Sequence, residues 1–223
     1  MLEVAPGIHR WTGPHPEWRP RNPWAHEVAS FAVTGAPELI LIDPLAPADA
    51  EALWPELDRL VEARETQAIA LFVTIHYHVR SVAKLHRRYR DALPVSVHGH
   101  PSIADSLGRD VPLEPGESLP AGARAFAIGS PRRRETPIFL PHRKALAFGD
   151  AVVGVGGELR VWEDTDGGRR DDWYRNRFLP TLRPLLELDT EHVLVTHGPP
   201  AVGNGGEQLA AALRAPPWNL RTA

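Results

Sequence analysis

The chain has 223 residues, 43% of them hydrophobic and 24% charged, and Lys+Arg 25 against Asp+Glu 28 gives a formal net charge of -3. That hydrophobic fraction excludes a disordered chain, and the absence of cysteine excludes a disulfide framework, a thiolate metal site and a cysteine nucleophile, so any metal has to be held by His, Asp or Glu. The acidic balance argues against general nucleic-acid binding, and no apolar run approaches the roughly 18 to 20 residues of a membrane span, so the expectation is one cytoplasmic domain over residues 1–223 with neither nucleic acid nor membrane as partner.

Residues 2–11 read as a short strand broken by Pro6-Gly7, followed over 12–24 by a loop with four prolines and the rings of Trp18 and Trp24. Two apolar runs, 27–34 and 38–42, flank Gly35-Ala36-Pro37 and predict a β-hairpin that Asp43-Pro44 ends. Residues 48–64 carry Leu53, Leu57, Leu60 and Val61 at helical spacing, with Asp49 near the first turn. A buried strand over 68–75, a helix over 80–89 and a strand over 95–98 follow. Beyond the Pro/Gly-rich stretch 111–122, short strands are expected at 124–128, 136–140 and 144–148, then a loop region containing Gly156-Gly157 and Gly167-Gly168. Residues 171–188 read as helix interrupted by Pro180 and Pro184, 192–196 as a strand and 206–214 as a last helix.

Several polar residues stand directly after predicted apolar strands, where α/β folds place their ligands. These are Asp43, His76 and His78, Asp150, and His197. If 76–78 stays extended, His76 and His78 share a face, because side chains at i and i+2 do. That spacing suits one divalent metal, with Asp150 adding a carboxylate oxygen and an open position left for water.

In order along the chain, LILIDP (39–44), VTIHYHVRS (73–81), AIGSP (127–131), FLPHRKALAFGDAVV (139–153) and VLVTHG (193–198) resemble the landmarks of the metallo-β-lactamase fold superfamily. The resemblance implies a four-layer αββα sandwich with a metal site along one edge of its two sheets. It implies that His76 and His78 are ligands of a first metal, Asp150 a bridging ligand and His197 a ligand of a second, with Asp43 behind them holding the loops. Asp43 reads equally well as a strand-ending turn residue.

The departures from the family pattern are specific. Where the family motif T-H-x-H-x-D-H ends in Asp and His this chain has Arg80 and Ser81, and Ser130 or Pro131 stands where a third histidine is expected. Aligning on Thr74 instead would put Ile75, Tyr77 and Val79 on ligand positions. The remaining set, His76, His78, Asp150 and His197, suits one divalent metal, zinc, or none. Arg80 cannot ligate a metal, but its planar fork suits a carboxylate or phosphate, so Arg80 and Ser130 are the candidate substrate-binding residues for a small, anionic ligand. The run Arg132-Arg133-Arg134 reads as a solvated loop. Trp11, Trp18 and Trp24 either cover an apolar substrate portion or pack as a satellite core.

Two functions are therefore expected. One is a mononuclear metal-dependent hydrolase of a small ester, thioester, lactone or amide. The other is a non-catalytic small-anion or partner-binding module with a metal-free, remodelled site.

Overall fold

The computed structural model describes residues 1–219 except 16, 23, 48, 49, 115, 117, 131, 132 and 164–166. The expected helix start at Asp49, and Pro131 and Arg132, lie outside the described residues. Strands β1 (Leu2–Ala5), β2 (Ile8–Pro14), β3 (Glu27–Val33), β4 (Glu38–Ile42), β5 (Ala68–Val73) and β6 (Val95–Gly99) form one sheet in sequence order. β1 to β4 pair antiparallel and β4, β5 and β6 parallel, with Ile42 opposite Phe72 and Phe72 opposite His98. Helix α1 (Trp54–Val61) joins β4 to β5, and α2 (Val82–Tyr89) joins β5 to β6; a short helix, α3 (Ala104–Leu107), follows.

The second sheet uses β7 (Arg124–Ala125), β8 (Ile138–Leu140), β9 (Ala145–Phe148), β12 (His192–Val195) and β13 (Ala201–Val202), in the order β13-β12-β9-β8-β7. A separate hairpin, β10 (Val152–Val155) with β11 (Glu158–Val161), lies between them in sequence. Helices α4 (Arg169–Trp173), α5 (Leu179–Leu182) and α6 (Gly205–Arg214) complete the chain.

Alternation along the strands makes this a four-layer αββα sandwich. In β4, Leu39 and Leu41 join the cluster of Leu57, Leu60, Val82 and Leu85 from α1 and α2, while Ile40 and Ile42 face the other sheet. In β9, Ala145 and Ala147 face Ile42 and Phe72 across the inter-sheet core, and Leu146 and Phe148 face Phe178, Leu182 and Leu209 on the outer side. Strands buried on both faces lose polar alternation, which is why 39–42 and 69–73 read as continuous apolar runs. No helix of the described residues is long and apolar enough to cross a membrane.

Local chemistry sets the differences from the sequence reading. Pro55 sits in the first turn of α1, so the regular helix begins at Trp54 instead of 48. Pro180 and Pro184 remove two backbone donors, and 169–187 becomes a succession of short helical pieces, with a wide turn over 174–178. Residues 152–161, expected as loop, form the β10–β11 hairpin around the positive-φ pair Gly156-Gly157. Four-residue strands beside a glycine pair give too little apolar pattern to stand out from a loop.

That hairpin matters because β10 lies directly on the segment after β12. Gly154 N donates to His197 O at 2.8 Å, and a Cβ on Gly198 (φ +81) would stand 1.9 Å from Gly154 O. Gly157 has a similar φ of +87 but open space around it. Gly157→Ala should therefore show the backbone cost alone, of order 1–3 kcal/mol, and Gly198→Ala clearly more, read from urea unfolding of both variants. Equal losses would mean that β10 does not hold the His197 segment.

Candidate metal centre

Four strand ends meet at one rim of the sandwich. β4 delivers Asp43, β5 delivers Thr74 and the turn after it, β9 delivers Gly149 and Asp150, and β12 delivers Thr196 and His197. Asp43, 1% exposed, ties three of them together. Its Oδ1 accepts from Thr74 N at 2.8 Å, and its Oδ2 takes Thr74 Oγ1 at 2.5 Å, His78 Nδ1 at 2.9 Å and Thr196 Oγ1 at 3.4 Å. Burial alone would raise this carboxyl, but His78, Arg80 and Thr74 bring it below its ordinary value. Because a carboxylate only accepts, the His78 ring must carry its proton on Nδ1. Nε2 is thereby turned toward the cavity.

There His78 Nε2 lies 3.4 Å from Asp150 Oδ1, and His197 Nε2 lies 3.2 Å from the same oxygen. These three ligand atoms lie within 4.8 Å of one another, a group able to hold a metal ion. Asp150 Oδ1 is buried and has no hydrogen-bond partner among the described residues, while Oδ2 accepts from the Tyr77 hydroxyl. Burial would raise Asp150, yet the two imidazoles hold it well below the usual carboxylate range. For His78, burial and Arg80 act downward, and Asp43 with Asp150 reverses them so that its pKa is raised.

The turn that aims Asp150 is built from below. Glu135, 1% exposed, accepts from Gly149 N at 3.1 Å and Ala151 N at 3.0 Å through Oε1, and its Oε2 faces Arg133 Nη1 at 3.4 Å. Burial outweighs the Arg133 charge and pushes Glu135 up to about 7. Gly149 lets this turn pass close to the loop after β5, since a Cβ there would stand 2.8 Å from Thr74 Oγ1. Two walls of the cavity are rings: Trp24 and Trp162 present themselves to His197 at 5.6 and 5.5 Å between centroids. The cavity is about 360 Å³ and is lined by His15, Glu17, Trp24, Tyr77, His78, Arg80, Arg133, Asp150, Trp162 and His197.

The structure thus brings together His78, Asp150, His197 and Arg80, with Asp43 directly behind. It does not bring His76 with them. His78 N bonds to Ile75 O at 2.8 Å, closing a turn where an extended segment was expected, so His76 and His78 do not share a face. His76 lines a neighbouring hollow with Arg134, Glu163 and Trp173. Ser130 is exposed and does not line the cavity. Arg133 is not a solvated loop residue: it bonds Trp162 O at 2.7 Å, pairs with Glu135 and Glu163, and lies over the Phe178 ring at 4.7 Å. Of the early tryptophans, Trp11 is core, bonded through Nε1 to Leu45 O at 2.7 Å, and Trp24 is cavity wall.

Glu135, Tyr77 and Trp162 are site residues that sequence reasoning missed. Glu135 sits in a run of charges, and Tyr77 is half exposed at its ring; only the turn at 75–78 reveals where its hydroxyl points.

No family model matches the sequence, and no curated protein does. Solved structures do match. DIM-1 metallo-β-lactamase superposes with a TM-score of 0.60 over 95% of this chain and 95% of that one, at 14% identity. A metallo-β-lactamase from Erythrobacter litoralis gives 0.57 over 96% and 95%, at 15% identity. FIM-1 from Pseudomonas aeruginosa, a metallo-β-lactamase in its mono-zinc form, gives 0.56 over 95% and 93%, at 14% identity. Likeness along almost the whole of both chains, at identities this low, is likeness of architecture: this chain has the metallo-β-lactamase fold.

Proposed function

We propose that the protein is a mononuclear metal-dependent hydrolase of a small ester, thioester, lactone or amide, with its ion held by His78, Asp150 and His197. The observation that carries the reading is Asp150 Oδ1, a buried anionic oxygen without a hydrogen bond, facing two imidazole Nε2 atoms at 3.2 and 3.4 Å. Ligands at about 2.0–2.1 Å around a tetrahedral zinc stand roughly 3.3 Å apart, so the two distances from Asp150 Oδ1 to the imidazoles fit that ion. Two imidazoles and a carboxylate also suit zinc by donor type. When bound, such an ion polarises a carbonyl and makes a water acidic enough to attack near neutral pH.

The chain's own groups prepare this. Asp43 fixes the His78 tautomer, so the Nε2 lone pair faces the cavity. The Tyr77 hydroxyl occupies Asp150 Oδ2 and leaves Oδ1 for the ion. Burial first and the Asp150 charge second raise the Tyr77 pKa, so the phenol stays protonated and is a hydrogen-bond donor at the cavity wall. Trp24 and Trp162 flank His197 and shield it from water. The solved mono-zinc FIM-1 structure is a precedent for one ion in this fold. A second reading, a metal-free anion-binding module, is favoured by the guanidinium of Arg80 in the same cavity.

The purified chain, dialysed without chelator, should retain about one zinc per chain by elemental analysis, and Asp150→Ala and His197→Ala should each lose it together with turnover of an ester and thioester panel. Wild-type protein that holds no metal and binds no added zinc would end the hydrolase reading. Glu135 makes a separate prediction. A carboxyl raised to about 7 in the folded state, against an ordinary value near 4.3, keeps a proton that the unfolded chain releases, so its contribution to stability falls as pH rises between those values. Gln cannot titrate. In chelator, the urea stability of wild type relative to Glu135→Gln should be greatest at about pH 4, decline up to about pH 7 and level off above it; a pH-independent difference would show that Glu135 is ionised throughout.

A further inference from the structure

Arg80 holds an unusual place in the cavity. It follows the turn 75–78 and has φ +38, a left-handed conformation that a residue with a Cβ adopts only when its surroundings enforce it. Its Nη1 donates to two backbone carbonyls, Asp43 O at 3.1 Å and Ala29 O at 3.3 Å. These bonds anchor one end of the guanidinium to β3 and to the strand end that carries Asp43. Nε and Nη2, the two nitrogens of its other edge, are buried and have no hydrogen-bond partner among the described residues. Leaving a buried cationic donor unpaired is costly, and here two such donors lie side by side. The second cavity arginine differs, since Arg133 is committed to Glu135, Glu163 and Trp162 O.

The free edge has the geometry of a carboxylate receptor. Nε–H and Nη2–H are parallel donors that match the two oxygens of one planar carboxylate. Charge favours a monoanion over a phosphate dianion: Arg133 is engaged by Glu163 and Glu135, and the acids Asp150 and Glu17 already line the cavity beside Arg80. The volume of about 360 Å³ suits a small acid, and the rings of Trp24 and Trp162 on the wall supply flat apolar contact.

We infer that this cavity recognises a small monocarboxylate through the Nε–Nη2 edge of Arg80, with the apolar body of the ligand against Trp24 and Trp162. That the carboxylate belongs to the molecule whose acyl bond is hydrolysed rests on the hydrolase reading; the anion site does not.

The test uses the full chain and benzoate as probe, followed by tryptophan fluorescence and calorimetry, with benzyl alcohol and inorganic phosphate alongside. The titrations are run in chelator, so that benzoate cannot ligate zinc, and again with zinc. Benzoate should bind in both conditions, benzyl alcohol far more weakly, and Arg80→Gln should weaken benzoate by roughly 10- to 100-fold, with Arg80→Lys between the two. Should both variants fail to fold, the wild-type Arg80 ¹⁵Nε–H resonance still decides, because it should shift on titration with benzoate. An unmoved resonance, benzoate binding indifferent to Arg80, or phosphate preferred over benzoate would overturn the proposal. With zinc, a dicarboxylic acid monoester should be cleaved in preference to its neutral diester, and Arg80→Gln should erase the preference. Benzoate binding through Arg80 in a protein without metal or turnover would leave the anion site standing and remove the hydrolase. Turnover with no dependence of ligand binding on Arg80 would do the reverse.

Discussion

A single buried carboxylate, Asp43, organises the rim on which everything else depends. Placing an ion in the interior is expensive unless it is paired and fully hydrogen-bonded, and Asp43, at the end of β4, meets that condition by collecting donors from the ends of β5 and β12. Thr74 supplies its N–H and hydroxyl, Thr196 its hydroxyl and His78 its Nδ1 proton. Thr74 follows a strand of the first sheet and Thr196 a strand of the second, so the bond set closes the sandwich at this edge. The same residue has φ +45, and its carbonyl accepts from Arg80 Nη1 and Ser30 Oγ. The local strain and the desolvation of Asp43 are offset by one network, and the network fixes two cavity-facing groups, the His78 ring and the Arg80 guanidinium.

A second buried acid does the equivalent work under β9. Glu135 grips the amides on both sides of Asp150, and its backbone bridges the segments of Ile75 and Ile128. Asp43 thus holds the loop after β5 to the end of β12, and Glu135 holds that same loop, through Ile75, against the turn after β9. Asp150 lies between them, with Oδ2 occupied by Tyr77 and Oδ1 turned to two imidazoles. The two carboxylates that face His78 raise its pKa against burial and Arg80. Metal and proton are alternatives at His78 Nε2, so a bound ion displaces a proton.

Much of the sandwich was legible because its strands are short, apolar and separated by clear turn chemistry. Asp43, His78, Asp150 and His197, each at or just after the end of an apolar strand, meet at one rim, since a residue there has few places to go. The i, i+2 rule failed at His76 because the strand stops at Val73 and a turn begins at Ile75; a periodicity rule holds only as far as the backbone that generates it. Ser130 stands where the family pattern has a histidine, but its segment carries it to the surface. Arg133 and Glu135 were hidden in the charged stretch 132–135, whose composition looks solvated. Nothing local in that run distinguishes the pair that turns inward from neighbours such as Arg134, which stays exposed.

The metal reading and the arginine reading meet in one electrostatic constraint. A dication on Asp150 and the guanidinium of Arg80 would share a cavity of about 360 Å³, and like charges at such separations repel by kcal/mol amounts when water is excluded. Asp43 relieves part of this from behind, through its contacts with His78 and Arg80, and Asp150 relieves part from within. Glu17 relieves part from the wall, and a monoanion seated between the two cations would screen one from the other directly. Linkage makes the relief reciprocal: an anion that binds more tightly with the ion present raises the affinity for the ion by the same factor. A site assembled this way gains most from a ligand that carries its own negative charge to the arginine edge.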